Sequence, residues 1–170
     1  PIKFGDKVKS VQIAGTTPEF LFVRQVNLEK GEFFTQADVN VARRVVVLGS
    51  TVSEELFGEE NPIGERVTVG DRRFTVLGVM KKTGGIGQLN LDEQIIIPIT
   101  TVQQQFNLSN INFINVKVEE AEDVGPTIPQ IQEVLEKRLK REDFTVIDQK
   151  EILSTVSNIL NTLTIALGGI

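Results

Sequence analysis

An α+β fold is the expectation for this chain, and three stretches of sequence carry it. From Ile2 to about Phe106, short apolar runs alternate with glycine-centred turns, the pattern of a mostly-β lobe. From Ile111 to Asp148 the order changes to strand, helix, strand. From Ile152 to Ile170 there is no charged residue at all. The predicted architecture is a mostly-β lobe with a short helix, inserted in a β-α-β lobe, with a C-terminal stalk helix behind them. The expected bounds are 1–106, 107–150 and 151–170.

The centre of the first lobe is Arg44 to Met80. Val45, Val46, Val47 and Leu48 form a continuous apolar run, as expected of a strand buried on both faces. Gly49 breaks it. Thr51 and Glu54 then have the spacing of a capping box, in which hydroxyl and carboxylate each satisfy a free N–H at a helix start. Val52, Leu56 and Phe57 share one helical face, and Gly58 supplies a stop. Asn61-Pro62-Ile63-Gly64 reads as a turn. Val67-Thr68-Val69 and Phe74-Thr75-Val76-Leu77 make a hairpin about Gly70-Asp71, with glycine first as a type II′ turn prefers.

Around this block the signals are shorter. Ile2 to Val11 reads as one or two strands about a Gly5-Asp6 turn, and Thr16 to Phe20 as a helix start with Pro18 in its first turn. Leu28 to Phe34 holds a turn at Gly31, and Thr35 to Val39 a polar turn or short helix containing Asp38. Lys81 to Leu91 (KKTGGIGQLNL) is a loop. Its glycines lack the Lys-Ser/Thr and the following helix that a phosphate cradle needs. Gln94 to Ile99 is a strand in which Pro98 implies an edge or terminal position. Thr100 is placed to cap a helix through Phe106, and Asn107 to Asn110 is a polar link.

In the second lobe Ile114, Val116 and Val118 alternate with polar residues along a predicted strand, Ile111–Val118. Thr127 to Arg141 is an amphipathic helix with Ile128, Ile131, Val134, Leu135 and Leu139 on one side. Phe144 to Ile147 is a further strand. One such unit is half of a ferredoxin-like split fold. In the last stretch Leu153, Val156, Leu160 and Leu163 continue into Leu167 and Ile170 at three- and four-residue steps, a heptad seam. Serine, threonine and asparagine occupy the faces where a solvated helix would carry Glu and Lys. The seam is therefore the candidate partner or dimer interface of a helix about to enter a bilayer, although its apolar run stops short of the roughly 20 residues a span needs.

Composition narrows the chemistry. With 40% apolar and 24% charged residues and a net charge of −5, the 170 residues describe an ordinary globular chain of one domain or two small ones. No basic run offers a nucleic-acid surface. There is no Cys and no His, which removes disulfides, thiol nucleophiles, imidazole acid–base chemistry and the usual zinc sites. Ten Phe carry the aromatic packing without Tyr or Trp. Carboxylates remain as acid–base candidates, in two clusters: Glu54, Glu55, Glu59 and Glu60, and Glu119, Glu120, Glu122 and Asp123. Both read as solvated surface, and the second lacks the spacing of an EF-hand. The chain begins at Pro1 with no signal peptide, so it is expected to be cut from something longer.

The order of residues adds a resemblance. VVVLGSTVSEELFG (45–58), NPIGERVTVG (61–70) and FTVLGVM (74–80) closely resemble the extracytoplasmic core domain of ABC transporter permeases of the MacB/FtsX type. GTTPEFLFVRQVNLEKGEFFTQADV (15–39) and LDEQIIIPITTVQQQF (91–106) resemble that family's neighbouring blocks in the same order. The resemblance implies a non-catalytic domain on the extracytoplasmic face of the cell membrane, coupling cytoplasmic ATP hydrolysis to export or mechanotransmission. It implies no cofactor and no metal. Its implied partners are a second permease protomer, an ABC ATPase domain or subunit, a periplasmic adaptor protein, and the membrane itself through flanking helices; nucleic acid is not among them. No G-x-x-x-x-G-K-S/T motif occurs here, so the ATPase would lie elsewhere. An alternative is an extracellular binding module for a peptide or small ligand with no transport role.

Overall fold

The computed structural model describes residues 1–84, 90–108, 110–148, 150–151, 154, 157–159, 162 and 164. The chain divides into two units, Pro1–Asn115 and Val116–Ile170. In the first, the elements follow in the order β1 (Ile2–Phe4), β2 (Lys7–Lys9), β3 (Gln12–Thr16), α1 (Phe20–Arg24), β4 (Leu28–Gly31), α2 (Gln36–Asn40), β5 (Val45–Leu48), α3 (Ser50–Phe57), β6 (Arg66–Val69), β7 (Arg72–Met80), β8 (Gln94–Pro98) and α4 (Ile99–Phe106). The strands form one mixed sheet in the order β2-β1-β6-β7-β5-β8-β3, with β4 also on β7.

Strand β7 organises the sheet because it is long enough to serve three neighbours. One edge takes β5 in parallel, Val45 opposite Thr75 and Leu48 opposite Val79. The other edge takes β6 along Arg72–Thr75 and then β4 along Gly78–Met80, both antiparallel. A bulge at Leu77 separates the two registers, since Val46 faces Val76 but Val47 faces Gly78. The β6–β7 turn is the expected hairpin. Gly70 has φ +62° while Asp71 keeps negative φ, as type II′ geometry requires.

The run Val45–Leu48 is buried on both faces, as its composition predicts. Val46 and Leu48 pack with Val52, Leu56 and Phe57 of α3 and with Phe74, Val76, Ile95 and Ile97. Val45 and Val47 pack on the opposite side with Val39 of α2, Phe34, Met80 and Ile96. All four are at most 1% exposed. Each removes enough apolar surface from water to stabilise the fold by roughly 1.5–3 kcal/mol.

Two predicted caps are not where the spacing put them. Helix α3 begins one residue early, at Ser50, and its N-cap is Gly49 with no side-chain cap bond; Thr51 and Glu54 form no box. The reason is steric. A Cβ on Gly49 would lie 2.3 Å from the Asp92 carbonyl oxygen and 2.5 Å from that of Leu91, so backbone fills the space a capping side chain needs. Likewise Pro98, not Thr100, precedes α4. The Thr100 hydroxyl instead donates to the Val39 carbonyl, and Thr101 donates to the Arg43 carbonyl at 2.9 Å. These two threonines tie α4 to the end of α2. A genuine capping box occurs at α2, where Thr35 N–H donates to Asp38 Oδ2 at 2.8 Å and Asp38 N–H to Thr35 Oγ1 at 3.4 Å.

The second unit holds α5 (Val124–Glu136), which starts three residues before the predicted helix and stops five before its predicted end. It follows a 3₁₀ turn at Ala121–Asp123. No residue of α5 is buried; Val134 is 61% exposed and Leu139 beyond it 44%. The predicted strands 111–118 and 144–147 join no ladder among the described residues. Alternation supplies a strand's two faces, but only a neighbouring backbone supplies its hydrogen bonds.

Candidate functional site

The predicted interface residues Leu153, Val156, Leu160 and Leu163 lie outside the described residues. Around them Lys150, Glu151, Ser154, Ser157, Asn158, Ile159, Thr162 and Thr164 are helical and exposed. Asp148 Oδ1 accepts the Glu151 N–H at 2.6 Å, a side-chain bond to a backbone amide three residues on, as N-cap residues make. Apolar surface is also exposed ahead of α5, at Ile111, Phe113, Ile114 and Val116, with Phe113 at 85%.

Both predicted carboxylate clusters are on the surface. Glu54, Glu55, Glu59 and Glu60 are exposed, and Glu55 pairs with Lys9 of β2. Glu119, Glu120, Glu122 and Asp123 are exposed around the 3₁₀ turn. Among the described residues no three acidic groups converge as metal ligands.

The buried carboxylates are different residues, and both hold backbone together. Asp38 accepts the Thr35 N–H and hydroxyl on Oδ2 and the Arg43 guanidinium on Oδ1 at 2.9 Å. The Thr35 N–H bond is the main influence and lowers its pKa; burial works against this, and Arg43 adds to the lowering. Asp92 is 3% exposed. It accepts the Thr83 N–H at 3.0 Å, the Gly84 N–H at 2.8 Å and the Thr83 hydroxyl at 3.2 Å. Burial pushes its pKa up, but these bonds outweigh burial and the net shift is downward. The first amides of the glycine-rich loop are therefore committed to a carboxylate of the protein, which leaves them no part in cradling a phosphate. Nothing in the local sequence LDE distinguishes Asp92 from a solvated acid.

Two shallow pockets are lined by residues of the sheet unit. One, of about 170 Å³, is bordered by Ser10, Val11, Gln12, Asn90 and Glu93. The other, of about 270 Å³, is bordered by Arg44, Arg66, Arg73, Phe74 and Thr75. Neither pairs a nucleophile with a base. Among the described residues no helix is long and apolar enough to cross a membrane.

Comparison with known proteins agrees with the resemblance in the sequence. Residues 1–134 match the family described as MacB-like periplasmic core domain. The macrolide export ATP-binding/permease protein MacB of Wolinella succinogenes is 34% identical over 99% of this chain. An ABC transporter permease of Methanocaldococcus jannaschii is 30% identical over 85% of it. The chain spans 27% of the length of the first and 35% of the second. Among solved structures, the periplasmic region of MacB from Actinobacillus actinomycetemcomitans superposes with a TM-score of 0.75 at 24% identity, covering 92% of this chain and 71% of that one. The extracellular domain of the transporter YknZ gives 0.63 at 20% identity, covering 75% and 64%. With a mixed sheet buried on both faces, no assembled catalytic group among the described residues, and a family match over most of its length, this chain belongs to the MacB-like periplasmic core domains of ABC transporter permeases.

Proposed function

We propose that the chain is a non-catalytic coupling domain of its permease. It would sit on the extracytoplasmic face of the cell membrane, carrying motion from cytoplasmic ATP hydrolysis outward and docking a periplasmic partner. The observation that carries the reading is the family match over residues 1–134 together with a relative aligned over nearly the whole chain. Two physical features support it. The sheet unit is cross-tied through β7 and through the Thr100 and Thr101 bonds to α2, so it suits transmission of force as one piece. Exposed Phe113 and Ile114 offer apolar contact area of the kind protein interfaces cover.

In this reading the stalk continues toward a membrane span, and Leu153, Val156, Leu160 and Leu163 face a second permease protomer. The ATPase is a separate domain or subunit, a periplasmic adaptor is the docked partner, and flanking helices hold the assembly in the membrane. The test uses the intact permease with its ATPase in proteoliposomes, comparing wild type with Leu160→Asp and Leu163→Asp. The expected result is ATP hydrolysis kept within about twofold while transport per ATP falls at least tenfold. Unchanged transport per ATP in both variants would overturn the coupling role of the seam. Sedimentation of the isolated chain, with and without the same substitutions, reports separately whether the seam self-associates.

A further inference from the structure

The pocket at Arg44, Arg66 and Arg73 has a charge arrangement that neither the fold nor the coupling role explains. Val67 and Val69 of β6, and Phe74 and Val76 of β7, point into the core beneath α3. Alternation along the strands therefore places Arg66, Thr68, Arg73 and Thr75 on the opposite face. Register brings them together. Arg66 is opposite Thr75 and Thr68 opposite Arg73, so Arg66 and Arg73 are diagonal neighbours across one strand pair. On the other edge Thr75 donates its N–H to the carbonyl of Arg44, the residue before β5, at 3.0 Å, and Arg44 borders the same pocket.

Three exposed arginines thus border one depression, and none has an ion-pair partner among the described residues. Their immediate sequence neighbours behave differently. Arg43 pairs with Asp38 at 2.9 Å, and Arg72 with Asp71 at 3.4 Å. In a chain with 23 acidic and 18 basic residues, carboxylates are plentiful, yet none reaches these three arginines. Like charges gathered without a counter-ion repel, and an anion seated among them relieves that repulsion.

We propose that the Arg44–Arg66–Arg73 pocket binds a phosphate group, in its dianionic monoester or inorganic form. The number of donors selects phosphate over carboxylate. One guanidinium fork already satisfies both oxygens of a carboxylate, whereas three forks match a group with three charged oxygens and nearly two negative charges. The Thr75 side chain borders the same pocket and adds a hydroxyl. Size selects against a bulky transported compound. At about 270 Å³ the depression is below the roughly 300–1,000 Å³ of sites that enclose a whole small molecule. It suits a headgroup or a free ion.

The test is amide NMR of the full chain titrated with sodium phosphate at constant ionic strength, with sodium acetate as the charge control. Phosphate should shift the amides of Arg66, Arg73 and Thr75 saturably, and acetate should not. Binding should strengthen between pH 6 and 8 as phosphate gains its second charge. Arg66→Gln and Arg73→Gln should each weaken binding at least tenfold. Arg73→Lys should restore only part of it, because it keeps the charge and loses the fork. Arg72→Gln, beside the pocket in sequence but paired with Asp71, should leave binding within twofold. Thermal midpoints of the variants control for folding. Vesicles of phosphatidylcholine with and without phosphatidic acid identify the source. Arg73-dependent binding to phosphatidic acid marks a lipid headgroup, and phosphate binding without vesicle binding marks a soluble phosphate. The proposal is overturned if acetate matches phosphate, if Arg72→Gln costs as much as Arg73→Gln, or if neither probe binds.

Discussion

Replacing Gly49 by alanine adds one methyl group where backbone already stands. Gly49 has φ −65° and ψ 153°, which any residue adopts, so no backbone strain enters. The added Cβ would lie 2.3 Å from the Asp92 carbonyl oxygen and 2.5 Å from that of Leu91. Relief needs a displacement of about 1 Å to reach ordinary contact. Neither side gives easily. Gly49 N–H donates to the Gln94 carbonyl at 2.8 Å, and the adjoining residues Leu48 and Ile95 are paired across β5 and β8. Moving the 3₁₀ turn Leu91–Glu93 instead, the 91–93 turn that packs against the start of α3, pulls Asp92 from the amides of Thr83 and Gly84.

Overpacking of this kind costs about 1–3 kcal/mol, and loosening one hydrogen bond to a charged group adds about 1.5–3 kcal/mol. The expected loss for Gly49→Ala is about 3–5 kcal/mol, or roughly 12–20 °C in thermal midpoint at about 4 °C per kcal/mol. Gly5→Ala is the matched control. Gly5 has φ +56° and no atom within 4 Å of the added Cβ, so only conformational cost remains, about 1–2 kcal/mol. Urea unfolding followed by far-UV circular dichroism measures both, since the chain has no Trp or Tyr to report by fluorescence. If Gly49→Ala cost no more than Gly5→Ala, the 91–93 turn would not be held against α3 as described.

Two further outcomes follow from the buried groups. Asp92 and Asp38 have lowered folded-state pKa values, so the unfolded chain binds more protons in acid; their stabilisation should be complete above about pH 5 and drain away as pH falls below 4. Asp92→Asn should flatten that acid limb and lower stability by roughly 2–4 kcal/mol at pH 7 through its weakened bonds to Thr83 and Gly84, and an unchanged limb in acid titrations would refute the assignment. Leu56→Ala, at a position 2% exposed under the sheet, should cost about 2–5 kcal/mol. Glu54→Ala should stay within about 0.5 kcal/mol, because Glu54 is exposed and caps nothing; a larger loss in urea titrations would reinstate the capping box.

What could be read in advance depended on whether a signal was local. The Val45–Leu48 run named a doubly buried strand, and the Gly70-Asp71 hairpin named its own turn type. Each needs only residues a few positions apart. The Thr51–Glu54 spacing was equally local and still failed, because Leu91 and Asp92 come from forty residues away to occupy the helix start. Residues 111–118 show the same limit in a strand. Their alternation is present in the sequence, but a ladder needs a second backbone, and none joins them among the described residues. The Asp92 clamp had no advance signal, since its partners Thr83 and Gly84 are set by the loop's return to the sheet.

The arginine pocket carries that reasoning one step further. Arg43 and Arg44 are adjacent in sequence, as are Arg72 and Arg73, and in each pair one arginine is neutralised while the other is left unpaired. Along β7 a strand turns consecutive side chains to opposite faces, so a doublet there divides its charge between two surfaces. Arg44 is brought beside Thr75 by the bond from the Thr75 N–H to its carbonyl, one residue before the register that sets Val45 opposite Thr75. A shift of that register by one residue would break the Arg44–Thr75 backbone bond and turn Val45 and Val47 out of the core they share with Phe34 and Met80. The apolar packing that sets the β5–β7 register thus also keeps Arg44 beside Arg66 and Arg73, which the β6–β7 register sets together. Substitutions outside the pocket's own residues should leave it in place as long as they keep the Val45–Leu48 core intact, and its loss should accompany any that slips it.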